Sequence, residues 1–555
     1  MEETVIYQVL DILSTMQEAC QGLYDSAQQG NGTLFGRLYQ DMREGLARFV
    51  QIAENNGGSK DLAAQKLSAC GRSCLASLIQ IYSYHGQRRD RCLHKIEFEL
   101  LPLLQEAYLQ LYFYGYIFGH PERLREYEAG KIYALCGNPY IDEAIQRGSY
   151  RYDLSIVVLA YNKLEYTQRC VESLLQNLPG DLRYELIFVD HGSSDGTREY
   201  FASKAPDKQL DIAVNGGGVG AVCRIVEGEF TLLVSNDVVV GPNAIEDLYA
   251  CIASDPRIAW AVATTPNIAN LQTIPASYRS PEEFNSFARG NNVRDPFRWE
   301  QRVRLCNPID IKRSAVWYSS SGLCLNGRFH SVKANSFPDD RVSLLLRRSG
   351  YRMMLAKDAY CHHFGSVTLK GEVQQQGGQD YYLEGRKEFY RAYGVDPWGT
   401  GFCFARPFLE RVVGDESGHV DVLGINCGLG SGPLKIKEQI KEYCHNTDVA
   451  VCNITDAPQF LADLEGVSDT VRRISDLAQV QAFLTQRRFR YIVWEDPFLT
   501  GEDPARLVSL VMGALASGGR LFAKKGAQIV GTAQERMTWS KLDDEWTMLL
   551  SMLRD

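Results

Sequence analysis

The sequence predicts an α/β protein with a helical N-terminal part, and three patterns along the chain lead to this fold class. The first is a set of short β-branched strands between Asp153 and Asp237, each largely apolar until its C-terminal end. Such runs are typical of strands buried on both faces of a parallel sheet. The second pattern is a renewed alternation of strands and helices from about residue 418. The third is the helical spacing of apolar residues over residues 1 to about 130.

Composition limits the class of protein. The chain has 555 residues, 45% of them hydrophobic and 23% charged, which is ordinary for a globular protein of about three domains. A net charge of -9 argues against a nucleic-acid partner, so we expect none. The 15 cysteines include no CxxC pair, which favours reduced thiols in a cytoplasmic protein over disulfides or zinc. No apolar run reaches the ~18 residues of a membrane helix, so we expect no transmembrane segment.

The first predicted domain, residues 1–150, consists of helices followed by an irregular connector from Glu122 to Arg151. The run from Leu93 to Phe118 is unusually rich in aromatic residues. It either packs against its neighbours or forms a face that binds the acceptor or a second copy of the chain.

The second predicted domain, residues 151–400, contains three strands whose C-terminal ends carry polar residues. Tyr161 follows the first strand, Asp190 ends the second, and Asp237 follows the third. In open α/β sheets ligands bind beyond the carboxyl ends of the strands. We therefore expect a cleft for a ligand that hydrogen-bonds to carboxylates and brings a cation. The plainer alternatives are that Asp190 only caps the following helix and that Asn236-Asp237 is a simple turn.

Two further pairs come later in this domain. Asp339-Asp340 precede a predicted helix at Val342–Leu346, and burial of two adjacent carboxylates raises one pKa, as a general base requires. Exposed acids that cap the helix are the alternative. His362-His363 end a strand and could bind metal or phosphate, or could be satisfied core histidines. The stretch from Asn267 to Ser321 reads as polar loops, where we expect acceptor-side elements.

The order and spacing of these motifs resemble the inverting family-2 glycosyltransferases with the GT-A fold. The resemblance covers most of residues 151–400. The matching pieces are Ala160-Tyr161-Asn162-Lys163, the turn from Val189 to Thr197, Ser235-Asn236-Asp237, Asp339-Asp340 ahead of Arg347-Arg348-Ser349-Gly350-Tyr351, and His363 ahead of Gly365 and Ser366.

The resemblance implies a nucleotide-sugar donor site at the ends of the first two strands. Tyr161, between Ala160 and Asn162, would lie against the nucleobase. Asp190 would bind the base, as in members that use uridine or thymidine sugars, and Gly192 and Ser193 would form the turn beside it.

The resemblance also implies a cation and a base. Asn236 and Asp237 stand at the family's DxD motif, with Asp237 as the direct ligand of Mn²⁺ or Mg²⁺. His363 matches a late histidine near the metal, and His362 is the fallback. Asp340 would be the general base with Asp339 beside it. Because Ser235-Asn236 replace the first acid of DxD, we expect weaker metal binding.

The third predicted domain, residues 401–555, is doubly wound and resembles the class I methyltransferases. Its turn from Asn426 to Gly432, including Gly428 and Gly430, resembles their glycine-rich nucleoside loop, and Gly518-Gly519 resembles a later turn. Asn453 stands where an acid usually binds the ribose. Glycine-rich turns also serve close packing alone. The domain is therefore either a non-catalytic docking domain or a working S-adenosylmethionine site.

Together these resemblances imply a metal-dependent inverting glycosyltransferase that moves a sugar from a UDP or dTDP donor to a macromolecular acceptor, a protein, peptide or glycan. One alternative is a bifunctional enzyme that also methylates a surface glycan. Another is a scaffold that no longer turns over, in line with the altered DxD motif. The sugar stays undetermined, and a homo-oligomer stays open.

Overall fold

The computed structural model describes most of the chain, in several ranges. These are residues 3–56, 62–111, 138–211, 225–316, 338–365, 393–404, 416–524, 538–541 and 546–550, with short pieces at 222, 383, 385–387, 389–390, 412 and 527. The aromatic run beyond Leu111, most of the predicted connector, and Ser366 lie outside the described residues.

The N-terminal part is helical, as the apolar spacing predicts. Its helices pack around one core that includes the fully buried Leu13, Leu46 and Leu104. Tyr108 contacts both this core and the core of the middle domain, so the described part of the aromatic run packs between domains. The helices are Glu3–Gln29, Gly32–Asn56, Leu62–Tyr84, Arg89–Lys95 and Leu101–Leu111, with a π-helical segment Ile96–Leu100 before the last.

The middle domain is built on a mixed sheet of eight strands in the order β3-β2-β1-β4-β8-β6-β9-β7. A separate antiparallel pair, β5 and β10, lies beside it. β1 is parallel to both β2 and β4, whereas β8 is antiparallel to β4 and β6. The strands are β1 Tyr152–Ala160, β2 Tyr184–Asp190, β3 Lys208–Asp211, β4 Gly228–Ser235, β5 Val238–Val239, β6 Ile258–Thr264, β7 Trp299–Gln301, β8 Ile309–Arg313, β9 Arg352–Tyr360 and β10 His362–His363.

Both faces of β1 are buried, as its apolar sequence predicts. Ile156 and Val158 face one hydrophobic core, and Val157 faces the other. The crossover helix Leu164–Gln176 packs Val171 and Leu174 into the first of these cores. The other helices of the domain are Pro139–Arg147, Thr197–Ser203, Ala244–Ala253, Pro281–Asn291 and Pro338–Arg348.

The prediction that Asn267–Ser321 consists of polar loops is wrong. This stretch contains the helix Pro281–Asn291 and the strands β7 and β8. Strand β8 was not predicted from the sequence, because the charged residues Asp310 and Lys312 lie inside it. They form a buried ion pair with each other, and Trp260 Nε1 donates to Asp310 Oδ2 at 2.5 Å. The pairing offsets part of the cost of burying these charges, and the hydrophobicity of the sequence alone does not reveal it.

The C-terminal domain is a second α/β unit with the sheet order β13-β12-β11-β14-β15-β17-β16, in which β17 is antiparallel to β15. Gly518-Gly519 lie inside β15 and not in a turn before it, which corrects the sequence prediction. The strands are β11 Val420–Ile425, β12 Val449–Thr455, β13 Thr470–Arg473, β14 Phe489–Trp494, β15 Leu515–Lys524, β16 Thr538–Lys541 and β17 Trp546–Leu550. The helices are Ser431–Cys444, Leu461–Glu465, Leu477–Leu484 and Pro504–Gly513.

Two expectations from composition concern thiols and membrane helices. Ten of the twelve cysteines in the described ranges are buried. Within the same ranges, none of the helices combines the length and apolar character needed to cross a bilayer.

Buried charges join the middle and C-terminal domains. The carboxylate of Glu300, 4% exposed, lies 2.7 Å from Arg302 Nε, 2.7 Å from Lys435 Nζ and 3.7 Å from Lys357 Nζ. Burial by itself would raise the pKa of Glu300, but the three cations outweigh it and lower the pKa to about 2. Lys435 belongs to the C-terminal helix Ser431–Cys444, so this ion cluster crosses the domain boundary.

We predict that Glu300→Gln destabilises the protein by about 3–5 kcal/mol at neutral pH, because it leaves buried cations without their counter-charge. Since the folded pKa of Glu300 is below its ordinary value of 4.5, its stabilisation is present above that pH. It is lost as the pH falls towards 2. Urea denaturation of both proteins across this pH range measures the effect.

The matched control is Glu143→Gln, which removes an exposed ion pair with Arg147. A surface pair contributes less than ~1 kcal/mol, so we expect little change in the free energy of unfolding. Equal stability of Glu300→Gln and wild type at pH 7 would contradict the role of the ion cluster.

Candidate donor and catalytic site

The ends of β1, β2 and β4 meet at one edge of the middle sheet. Ala160 is paired with Asp190, and Leu159 with Ser235, so the next residues of all three strands lie side by side. Neighbouring strands are about 4.8 Å apart, which places Asp190 and Asn236 about 10 Å apart on either side of β1.

Asp190 ends β2 with a buried carboxylate, 2% exposed. Its Oδ2 accepts from the backbone amides of Gly192 at 3.2 Å and Ser193 at 3.0 Å. Its Oδ1 has no hydrogen-bond partner within the described ranges. A buried carboxylate oxygen is costly unless a donor reaches it, so Oδ1 retains the capacity to accept a hydrogen bond.

The alternative that Asp190 caps the next helix is not what the structure shows. Asp195 takes that role, because its Oδ1 accepts from the amide of Thr197 at 3.2 Å and from its hydroxyl at 2.7 Å. The helix Thr197–Ser203 therefore begins without help from Asp190.

Several predicted donor residues brace the strand ends. The Asn162 amide donates to Ser193 Oγ at 2.7 Å, which ties β1 to the turn after β2. The side chain of Asn236 donates to Asn162 O at 3.1 Å and to Thr167 Oγ1 at 2.9 Å. The amide nitrogen of Asn236 thus holds the crossover helix, while Tyr161 is partly exposed at the edge. Ala160 is buried in the sheet core.

Asp237 and His363 form the closest pair of candidate metal ligands. The antiparallel pairing of β5 and β10 puts His363 Nε2 3.3 Å from Asp237 Oδ2. His363 Nδ1 lies 2.7 Å from Asn267 O, and a carbonyl can only accept, so Nδ1 carries the proton in the neutral ring. The lone pair of Nε2 then faces a carboxylate oxygen. A proton or a cation between the two atoms satisfies both.

His362 lies on the other side of β10, because successive strand residues face opposite ways. Its Nδ1 is 2.5 Å from the hydroxyl of Tyr278, and its ring packs against Phe284 and Phe364. Burial, followed by the nearby His363, lowers its pKa. The structure therefore does not bring the fallback ligand His362 to Asp237. Within the described ranges, no three His, Cys, Asp or Glu side chains gather around one point.

Asp339 and Asp340 begin the helix Pro338–Arg348, which we call the acid-pair helix. Asp340 is buried and accepts from Arg304 Nε at 2.5 Å and Nη2 at 3.3 Å. Desolvation raises the pKa of Asp339 to about 7, with Arg304 opposing the rise and Asp340 adding to it. Burial also raises the pKa of Asp340, against the pull of Arg304.

The acid pair thus forms a second cluster, whose described contacts run to Arg304 and not to Asp190 or Asp237. Sequence reasoning missed Arg304 because it lies in the stretch interpreted as loops. Its only signal was a cation in the predicted acceptor-side region.

The C-terminal glycine loop is filled by the chain itself. The Leu429 amide donates to Thr400 O, and the Ser431 amide donates to Gly401 O, each at 3.1 Å. A Cβ on Gly428 would lie 2.0 Å from Thr400 O, so this glycine permits the close approach of two backbones. The loop amides therefore already bind peptide carbonyls.

Other candidate S-adenosylmethionine residues are also engaged. Asn426 Nδ2 donates to Asp456 Oδ1 and Pro497 O, and Gly430 takes the left-handed conformation that begins the helix Ser431–Cys444. Asn453 Nδ2 donates to Ser468 Oγ at 2.8 Å. These residues do not fit S-adenosylmethionine in the described arrangement.

Comparison with known proteins shows what the middle domain is similar to. The family model "Glycosyl transferase family 2" matches residues 155–299. This part of the chain is therefore similar to glycosyl transferase family 2 domains. This match covers β1, β2 and β4, whose ends carry Asp190 and Asp237, and the mixed α/β sheet is consistent with the GT-A fold.

Two curated relatives of the family 2 domain are glycosyltransferases. One is the poly(ribitol-phosphate) β-glucosyltransferase of Bacillus spizizenii, 30% identical over 100 residues, or 17% of this chain and 16% of the relative. The other is the glycosyltransferase GlyG of Streptococcus pneumoniae, 32% identical over 103 residues, or 17% of this chain and 34% of the relative. The similarity thus spans about a third or less of each relative.

A solved structure of S. aureus TarS residues 1–349 with UDP-GlcNAc is similar at a TM-score of 0.27. It shares 17% sequence identity, over 38% of this chain and 58% of that one. At this TM-score the superposition is too loose for its ligand to bear on this chain.

We predict that the wild-type protein shows no saturable binding of tritiated S-adenosylmethionine in equilibrium dialysis at millimolar ligand, because Thr400 and Gly401 occupy the loop amides. Urea-unfolded protein gives the background. A one-site saturable isotherm would contradict this assignment and restore the bifunctional alternative.

Proposed function

We propose that this protein is a metal-dependent inverting glycosyltransferase that transfers a sugar from a UDP or dTDP donor to a macromolecular acceptor. The observation that carries the proposal is the buried Asp190 Oδ1, which lacks a partner within the described ranges, at the same sheet edge as Asp237. One group suits a nucleobase, and the other suits the cation of a diphosphate.

Asp190 would select the base. Uracil and thymine each present an N–H donor, and a carboxylate oxygen without a donor accepts it well. The Gly192 and Ser193 amides hold Oδ2, so the carboxylate is fixed before the ligand arrives. Tyr161, partly exposed at the end of β1, would cover the face of the base.

Asp237 and His363 would hold Mn²⁺ or Mg²⁺ together with the diphosphate. Such cations keep waters and phosphate oxygens in their shell, so one or two protein ligands are enough. The bound cation supplies Lewis-acid stabilisation of the leaving diphosphate. Asn236, which braces Asn162 and Thr167, would support this strand end and act on the donor indirectly.

The Asp339–Asp340 pair would supply the base. The acceptor loses a proton to a carboxylate as its nucleophile bonds to the anomeric carbon, while the bond to the diphosphate breaks on the opposite face. The family resemblance points to Asp340, but Arg304 occupies that carboxylate. The pKa of about 7 makes Asp339 better suited to accept the proton. We assign Asp339 as the proton acceptor and Asp340 as its anchor.

The C-terminal domain would act as a non-catalytic docking domain, and with the N-terminal helices it suggests a macromolecular acceptor such as a protein, peptide or glycan. The filled glycine loop disfavours the bifunctional alternative. The scaffold alternative rests on Ser235-Asn236 in place of the first DxD acid. Mn²⁺-stimulated hydrolysis of a nucleotide sugar by the wild type would exclude it.

We predict that UDP or dTDP raises the melting temperature in the presence of Mn²⁺ more than in its absence, because the ligand binds only the native state. Asp190→Asn should weaken this binding about 10- to 100-fold, since a hydrogen bond to a charged group contributes about 1.5–3 kcal/mol. Thermal-shift titration measures both effects.

The control for this titration is Asp181→Asn, an exposed position after the crossover helix. It should leave the nucleotide affinity unchanged. If neither nucleotide shifts the wild-type melting temperature with or without Mn²⁺, the donor assignment fails.

We predict that Asp339→Asn lowers the rate of donor hydrolysis, with water as acceptor, by at least ~100-fold while nucleotide binding persists. The wild-type rate should rise with pH through about 7, because a base must be deprotonated and that is the pKa of Asp339. Stopped assays of UDP release across pH 5–9 measure this rise of the rate with pH.

Asp340→Asn is the informative comparison. It should slow the reaction but keep a pH-dependent limb, because Asp339 remains. If Asp339→Asn keeps wild-type turnover while Asp340→Asn abolishes it, the proton acceptor is Asp340 after all.

A further inference from the structure

The acid-pair helix Pro338–Arg348 has catalytic candidates at one end and a link to the C-terminal domain at the other. Arg347 and Arg348, in its last turn, both bind Asp463 of the C-terminal helix Leu461–Glu465. Arg347 Nη2 lies 2.6 Å from Asp463 Oδ1, and Arg348 Nη2 lies 2.8 Å from Oδ2. At 1.5 Å per residue, this contact is about 12 Å along the helix axis from Asp340.

The described hydrogen bonds of the Asp463 carboxylate all come from these two arginines. Its side chain is fully buried, and each oxygen accepts two hydrogen bonds, from Nε and Nη2 of one arginine. Burial would raise its pKa, but Arg348 and Arg347 outweigh burial and hold the pKa below its ordinary range. In the described part of the chain, all its side-chain partners belong to the middle domain. The buried Asp463 carboxylate therefore holds the C-terminal domain against the middle domain.

Arg347 also connects Asp463 to the segment beside Arg304, which is the partner of Asp340. Arg347 Nη1 also donates to the carbonyl of Val303, the residue before Arg304. Val303 packs against Val467 of the C-terminal domain, and Gln301 Nε2 donates to Gly466 O at 3.1 Å. Asp463 therefore holds both the helix that carries Asp340 and the segment that carries its partner Arg304.

We propose that Asp463 is a positioning residue for glycosyl transfer, through which the C-terminal domain sets the geometry of the Asp339–Asp340 pair. The inference rests on the proposed function and explains what the docking domain contributes to it. Donor binding lies on other elements, the ends of β1, β2 and β4, and does not depend on this link.

The two arginines separate positioning from plain stability. Both bind Asp463, but among the described contacts only Arg347 reaches Val303 O, whereas Arg348 reaches Tyr393 O and Gln459 O at 3.5 Å. Arg347→Gln should lower kcat for donor hydrolysis about 10- to 100-fold, the range that a displacement of about 1 Å produces. The donor KM should stay within about twofold of the wild-type value. Arg348→Gln should keep kcat within about threefold at a similar loss of melting temperature.

Asp463→Asn tests the link directly. We expect a fall in kcat like that of Arg347→Gln and an acidic limb of the pH profile shifted to higher pH, because Arg304 and Arg347, once loosened, oppose the raised pKa of the acid pair less strongly. Asp463→Glu should restore part of kcat. Asp448→Asn, an exposed carboxylate of the same domain paired with His419, is the matched control and should change none of these values.

Hydrogen–deuterium exchange keeps this test separate from the proposed function. In Asp463→Asn, peptides covering 339–348 and 302–305 should lose protection while those of β1 and β2 keep it. If the wild type hydrolyses no nucleotide sugar, the proposed function fails, and the exchange result still decides whether Asp463 holds these segments. Equal kcat losses in Arg347→Gln and Arg348→Gln, or unchanged kcat and protection in Asp463→Asn, would overturn the proposal. If Asp463→Asn does not fold, the comparison of the two arginines decides.

Discussion

The parallel register of β1 with β2 and β4 is the constraint on which the candidate donor site depends. It sets Ala160 beside Asp190 and Leu159 beside Ser235, so three segments far apart in the sequence end at one edge. Hydrogen bonds from Asn162 and Asn236 then lock the segments that follow the strands. A shift of one residue in either pairing would turn the side chains of that strand to the opposite face of the sheet.

Buried charge, as well as hydrophobic contact, links the domains. Glu300 is surrounded by cations from both domains, and Asp463 holds two arginines of the acid-pair helix. Buried ion pairs add little stability over apolar packing, but removing one partner is costly. Such contacts fix one relative arrangement of the two domains. A domain that positions catalytic residues needs such a fixed arrangement, whereas a domain on a free hinge does not.

Much of this architecture follows from local sequence. The apolar sequence of β1 predicts a strand that is buried on both faces, which the structure confirms. Strand β8 was not predicted, because Asp310 and Lys312 form their ion pair only in the folded protein. The pairing of Asp340 with Arg304 and the filling of the glycine loop by Thr400 depend on tertiary contacts between distant segments. No local pattern could have given them.

The central claim is that one nucleoside diphosphate and its cation bridge Asp190 and Asp237. A crystal structure of the wild-type protein with UDP and Mn²⁺ tests this most directly. We expect a base N–H within hydrogen-bond distance of Asp190 Oδ1 and a Mn²⁺ ion bound by Asp237 and the diphosphate. A nucleotide bound at the carboxyl edge of the C-terminal sheet, with both aspartates free of ligand, would contradict it.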